Sequence, residues 1–379
     1  MGETGSSRIG SLDGLRGVAA LMVLAHHSLL VFPDLADGFY EQGAPESIGW
    51  FVYSPLHTLW AGTEAVYVFF ILSGLVLTLP VIRRPAFSWR EYYPSRIIRL
   101  YLPVVASVAF ALVLALVVAR TDTPGISEWL QRHDQPITIG TTLRNATLLT
   151  GTNNLNSPLW SLRWEVWFSL LLPVYIWIAV RFSRVGWPIA AVSVVLSLIG
   201  TVVDNGPLMF LPIFMIGCVI ATKLADLARL AKWVEEKRRS RVIWATVLAI
   251  TLLGFSARWW LPETLSGTST IVVLICAAVV VGLAIYSPGV RSALQLPFIQ
   301  WSGLISFSLY LTHEPIIVTT AFLLPSDMAW LVPIIAVPLA LVFAWLFYQF
   351  VEAPAHKLAR WAARSRPSRQ HAASRTAPD

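Results

Sequence analysis

Two basic side chains near the start of the chain share a spacing that could do chemistry. Arg16 and His27 are eleven residues apart. At about 100° per residue this is three full turns and roughly 20°, so both lie on one helix face, about 16 Å apart along the axis. A guanidinium can hold a phosphate and an imidazole can take a proton. In that order along one wall they suit an extended anionic cofactor that reaches inward. His26 points about 100° away and reads as a hydrogen-bonding partner for a neighbouring helix. Arg96 and Arg99 stand at i and i+3, adjoining positions whose fork-shaped heads match phosphate geometry. Internal pairing with Glu91 or Glu352 is the competing role for both. Glu165 lies in an apolar run at a depth close to His27, where a carboxylate can orient the imidazole and stabilise its protonated form. A pair between Glu165 and Arg163 is disfavoured, because residues two apart point to opposite sides of a helix.

The elements that must position these groups are membrane helices. Of 379 residues, 56% are hydrophobic and 13% charged, with a mean hydropathy of +0.65. That leaves too little polar surface for a soluble globule. The net charge of +7 falls between apolar spans, where it speaks for membrane orientation rather than nucleic-acid binding. Cys218 and Cys276 lie in apolar runs without CxxC or histidine companions, so neither a disulfide framework nor a metal site is indicated. Ten apolar stretches of spanning length run at about 15–32, 58–81, 97–119, 161–180, 187–203, 207–224, 242–260, 268–286, 303–324 and 330–350. The fifth and sixth are short and close enough to form a re-entrant pair. With both termini in the cytoplasm, 23 Lys and Arg face that side, against Arg120, Arg132, Arg144, Arg163 and Arg258 opposite. Positive charge resists translocation, so this orientation and an even span count are expected. Arg83, Arg84 and Arg90 serve as its markers. Arg8 and Arg16 precede the first span as in a secretory signal, but Asp13, His26, His27 and the lack of a small-residue cleavage site argue against removal.

The segment 223–241 reads as an amphipathic helix with a basic end that rests on anionic headgroups. Residues 1–354 form the expected transmembrane domain and 355–379 a basic, disordered cytoplasmic tail. The longest outer loop, about 120–160, carries the polar stretch GTNNLNSP. Ionisable groups at membrane depth are costly and mark function; besides those above, Glu64, His313, Glu314 and Glu352 qualify. His27, Glu165 and His313 could form the proton relay of a secondary transporter, which is the alternative reading.

Six motifs in order add up to a resemblance. Leu12-Asp13-Gly14-Leu15-Arg16-Gly17 with His27, Phe69-Phe70-Ile71-Leu72-Ser73-Gly74, and Arg96-Ile97-Ile98-Arg99 with Pro103 are the first three. Trp160-Ser161-Leu162-Arg163-Trp164-Glu165, Ser308-Leu309-Tyr310-Leu311-Thr312-His313-Glu314-Pro315, and Glu352-Ala353-Pro354 follow. Together they resemble the acyltransferase 3 family of integral membrane acyltransferases. Thr63-Glu64 stands where many members have Val-Asp, and Val166 where a second Glu is frequent. The resemblance implies transfer of an acyl group, commonly acetyl, from cytoplasmic acyl-CoA to a hydroxyl of a sugar, glycan or glycosylated natural product, in a bacterial inner membrane. A succinyl group is the variant within that class. Acyl-CoA would act as co-substrate, with no bound cofactor and no metal, and the partners are the acceptor and membrane lipids. Many relatives carry a fused SGNH domain; here a direct hand-off or a separate partner is expected. On this reading Arg16, Arg96 and Arg99 hold the CoA phosphates. His27, assisted by Glu165, is the catalytic base, and Tyr310 and His313 line the channel or polarise the acyl carbonyl.

Overall fold

The computed structural model describes residues 9–40, 43–83, 87–121 and 124–364. Arg8, Arg84 and the end of the expected tail, 365–379, lie outside the described residues. The fold is all-α, with no strand among the described residues. Its main helices are α1 (Gly10–Leu29), α2 (Gly62–Arg83), α3 (Trp89–Val117), α4 (Leu159–Arg181), α5 (Gly186–Val202), α6 (Gly206–Thr222), α7 (Leu224–Glu235), α8 (Ser240–Phe255), α9 (Ser266–Tyr286), α10 (Pro297–Leu323), α11 (Leu331–Phe347) and α12 (Ala353–Arg364).

Each of the ten apolar stretches contains a helix. Six helical stretches are long and apolar enough to cross a membrane, or eight if each of two bent pairs is one span. One bent pair is α1 with Pro33–Phe39, at 116°, and the other is α6 with α7, at 68°. α8, at 16 residues, is shorter than a full crossing. α10 is long enough at 27 residues but falls short in apolarity, because Ser306, Ser308, Thr312, His313 and Glu314 interrupt it. The fold is thus that of an integral, polytopic, all-helical membrane protein.

In lipid, helices associate through close packing rather than water exclusion, so small residues mark the crossings. At the α1–α10 crossing, a Cβ on Gly17 would collide with Ser302 and the backbone of Gly303, and one on Gly303 with the carbonyl of Asp13. The α2–α6 crossing is equally tight, as Gly74 faces the carbonyl of Phe214 and Gly217 that of Ile71. α5 and α6 form a helical pair whose turn is closed by Asn205, the side chain of which accepts from Leu208 N at 3.0 Å.

Within the expected disordered tail, residues 355–364 are helical. A π-helical segment, Tyr348–Glu352, leads directly into α12. α12 packs along α3 and buries the small residues Ala355 and Ala359. That apolar stripe is what makes the basic sequence helical here.

Candidate functional site

A cavity of about 610 Å³ opens between α1, α2, α3, α4, α10 and the π-helical segment. Arg16, Arg96, Arg99, Glu165 and Tyr310 all line it. Five of the residues singled out from sequence are therefore brought to one cavity, although they come from four helices. Glu91 and Glu352 share that lining, so carboxylates face the three guanidinium groups.

Arg96 is not a free cation. Its Nη2 pairs with Glu165 Oε1, and its Nε donates to Ser169 Oγ at 3.0 Å. Ser73 Oγ donates to the same Glu165 oxygen at 3.0 Å. Glu165 is thus committed to α3 and α2, and it does not orient His27. The expected pairing of those two residues is corrected on this point. Depth alone, which the sequence does convey, cannot distinguish which neighbouring helix a carboxylate faces. Arg99, on the same helix as Arg96, and Arg16 both act electrostatically on Glu352, whose Oε2 accepts from Ser308 Oγ at 2.6 Å.

Proline makes two local openings that other side chains fill. Pro315 in α10 has no N–H, so the Leu311 carbonyl lacks its usual helical donor; Asn156 Nδ2 supplies one at 2.9 Å. Pro173 in α4 does the same to Ser169, and Tyr92 Oη donates to that carbonyl at 3.3 Å. The first opening ties the polar loop before α4 to the turn of α10 that carries His313.

Tyr310 closes the inner end of the cavity. Its Oη donates to the Pro158 carbonyl at 2.9 Å and accepts from Ser161 Oγ at 2.6 Å. Its ring packs edge-on to Phe69 and lies 6.1 Å from that of His313. His27 and His313 do not line the cavity; they stand behind Tyr310.

His27 Nδ1 lies 2.9 Å from His313 Nε2 and 3.1 Å from the Val23 carbonyl. His313 Nδ1 faces the Leu309 carbonyl at 2.8 Å. A carbonyl can only accept, so His313 carries its proton on Nδ1 and offers a lone pair on Nε2. His27 must then donate from Nδ1, which leaves its own Nε2 with a lone pair. Such an imidazole can take a proton at Nε2 while a second ring fixes its tautomer. His26 instead reaches the Trp60 carbonyl at 3.1 Å through Nδ1, the structural role read from its direction.

Sequence reasoning missed His133. It lies in the loop between α3 and α4, outside every motif, and no periodicity marks it. It is buried, and its Nε2 lies 2.6 Å from Glu314 Oε1. Glu64 is buried and accepts from Trp259 Nε1 at 3.0 Å. No cluster of three or more His, Cys, Asp or Glu among the described residues could hold a metal.

A helical membrane protein with a deep cation-bearing cavity and an oriented histidine behind it fits the class of integral membrane acyltransferases. Residues 9–349 match the sequence profile of the acyltransferase 3 family, described as an acyltransferase domain. The chain belongs to that family. It is also similar to the acyltransferase MdmB of Streptomyces mycarofaciens, 25% identical over 331 residues, which is 82% of this chain and 79% of that protein. No solved structure matches.

Proposed function

We propose that the protein is an O-acyltransferase that moves an acyl group, acetyl in particular, from cytoplasmic acyl-CoA to a hydroxyl of a saccharide or glycosylated product. The observation that carries this reading is the alignment of arginines, Tyr310 and the His27–His313 pair from the cavity inward. Arg16 and Arg99 receive the CoA phosphates, Arg96 being taken up by Glu165 and Ser169, and the pantetheine arm follows the cavity to Tyr310. Glu165 keeps Arg96 turned into the cavity.

In the reaction, His27 Nε2 takes the acceptor's hydroxyl proton as the oxygen attacks the thioester carbonyl. The C–S bond breaks, and the departing thiolate takes up from His27 the proton that came from the acceptor hydroxyl. His313 stabilises the charged imidazole through Nδ1–H of His27. The hydroxyl proton of Tyr310 is taken by the Pro158 carbonyl, so Tyr310 shapes the channel for the incoming acyl group rather than polarising its carbonyl. Beside Glu165 the guanidinium of Arg96 is already matched, so a neutral acetyl group suits that stretch of the cavity better than succinyl. The basic asymmetry supports both termini on the cytoplasmic side, and the family resemblance supports a bacterial inner membrane.

The test is protein reconstituted in nanodiscs with radiolabelled acetyl-CoA and a panel of hydroxyl acceptors that includes methyl glucoside. Free CoA and labelled acceptor should appear in equal amounts. Absence of both with every acceptor, at saturating acetyl-CoA binding, would reject the reading.

A further inference from the structure

Glu314, one position beyond His313 on α10, is 1% exposed, and both of its carboxylate oxygens are engaged by the loop between α3 and α4. His133 Nε2 lies 2.6 Å from Oε1, and Ser157 Oγ donates to Oε2 at 3.0 Å. With Asn156 on the Leu311 carbonyl, the loop is pinned at three points to the turn of α10 that carries His313. His133 also uses its other nitrogen, since Nδ1 donates to the Trp129 carbonyl at 2.8 Å. The Trp129 indole sits edge-on to the His133 ring, with centroids 4.8 Å apart, and against His27 at 5.7 Å and 33°.

This arrangement bears on a weakness in the His27–His313 bond. The terminal torsion of an imidazole is broad and roughly two-fold. A half-turn of the His27 ring would put a carbon where Nδ1 now meets His313. His26 packs on one side of that ring, edge-on at 5.2 Å, and Trp129 packs against it from the loop.

We propose that His133 is a positioning residue for His27: anchored on Glu314, it holds Trp129 against the imidazole and so prevents the half-turn that would break the bond to His313. The proposal rests on the reading of His27 as the base. A buried histidine–carboxylate pair serves better here than a lone carboxylate. It shares one proton between Nε2 and Oε1 and leaves no net charge beside His313 to compete for the proton on His27.

The test compares full-length His133→Gln, Trp129→Ala, Trp129→Phe and the His133→Gln/Trp129→Ala double variant, with acetyl-CoA as donor and methyl glucoside as acceptor. Misplacing a reacting group by an ångström costs about 100-fold in rate. His133→Gln and Trp129→Ala should therefore lose about 10- to 100-fold in kcat, with acetyl-CoA affinity unchanged because the cavity is intact. Trp129→Phe should recover most of the loss, and the double variant should be no worse than the poorer single one. A folded single variant with wild-type kcat, or losses that multiply in the double, would overturn the proposal. If His133→Gln does not fold, the contrast between Trp129→Ala and Trp129→Phe decides alone. Solid-state NMR of histidine ring nitrogens gives an answer independent of turnover, since the His27 signals should change in Trp129→Ala; unchanged signals also overturn it. Wild-type protein inert toward acetyl-CoA with a responsive His27 ring would instead count against the acyl-transfer reading and leave the positioning role supported.

Discussion

Nδ1 of His27 on α1 and Nε2 of His313 on α10 lie 2.9 Å apart. Because His313 is fixed by the Leu309 carbonyl, the direction of that hydrogen bond is determined, and with it the nitrogen of His27 that is left to act as a base. The resemblance assigned the two histidines separate roles, one catalytic and one lining a channel. The structure joins them into one unit.

Loss of His27 should therefore abolish acyl transfer and loss of His313 should cripple it. A general base contributes about 10² to 10⁴ in rate, so His27→Ala should fall to background while acetyl-CoA binding persists. His27→Asn should fail as well, since an amide can hydrogen-bond but cannot take up a proton. His313→Gln can still accept from Nδ1 of His27 and should keep more activity than His313→Ala. Rates of CoA release from purified variants check this ordering, and equal activity in the two His313 variants would remove the orienting role.

The two arginines of α3 should separate on substitution. Arg99 is exposed at the cavity wall, so Arg99→Ala should weaken acetyl-CoA binding about tenfold, the low end of roughly 1.5–3 kcal/mol for a charge-assisted hydrogen bond. Because the side chain is exposed, its thermal stability should fall less than that of Arg96→Ala. Arg96→Ala also strips Glu165 of its ion pair. Removing one partner of a buried pair leaves an uncompensated charge, so Tm should fall as well. Calorimetric binding and thermal melts distinguish the two, and a stable Arg96→Ala protein with unchanged affinity would make this pair dispensable.

Reporter fusions after Arg120 and after Arg258 should both report the outer side if ten spans and cytoplasmic termini hold. A cytoplasmic signal at either position would break the odd-even order of spans on which the placement of the site depends.

Much of this site was legible in the sequence because helical spacing is a local property. The eleven-residue step from Arg16 to His27, the i and i+3 arginines and the polar turn of α10 each fix a face without knowledge of the partner helix. What spacing cannot convey is which helix stands opposite. Glu165 reads as a partner for His27 by depth, yet it meets Arg96 across the α3–α4 contact. His133 was invisible for a related reason, since it lies in a connection without periodicity and acquires its role only when the loop folds back onto α10. The ten apolar stretches all became helices, but spanning length is less evenly distributed among them than hydropathy suggested.

His57 lies outside the spanning helices, stacked between Trp60 and Trp259 with ring centroids 3.9 Å away on each side. Burial pushes its pKa from 6.5 down to about 3. The unfolded chain therefore binds a proton that the folded protein refuses between those values. Stability from this site is complete above about pH 6.5 and is lost as pH falls toward 3, at up to about 1.4 kcal/mol per pH unit. His57→Phe keeps a ring in the stack and removes the titration, so its melting temperature should decline less between pH 7 and pH 5. Parallel decline in the two proteins would show that acid sensitivity originates elsewhere.

The acyl group itself can be tested through charge. Phe69, Phe70, Ser73, Ser161 and Glu165 line the cavity, and the guanidinium of Arg96 beside them is matched by Glu165 and Ser169. A succinyl carboxylate arriving there would meet Glu165 and have to break that ion pair to find a cation. Acetyl-CoA should therefore be used at least tenfold more efficiently than succinyl-CoA, as judged by kcat/KM with a common acceptor. Tenfold corresponds to about 1.4 kcal/mol, well below the several kcal/mol that an unpaired buried carboxylate costs. Glu165→Gln removes the repulsion and releases Arg96, so this variant should narrow the gap between the two donors even though its activity with acetyl-CoA falls. An enzyme that prefers succinyl-CoA, or a Glu165→Gln variant with undiminished preference for acetyl-CoA, would show that the Arg96–Glu165 pair does not set the acyl specificity.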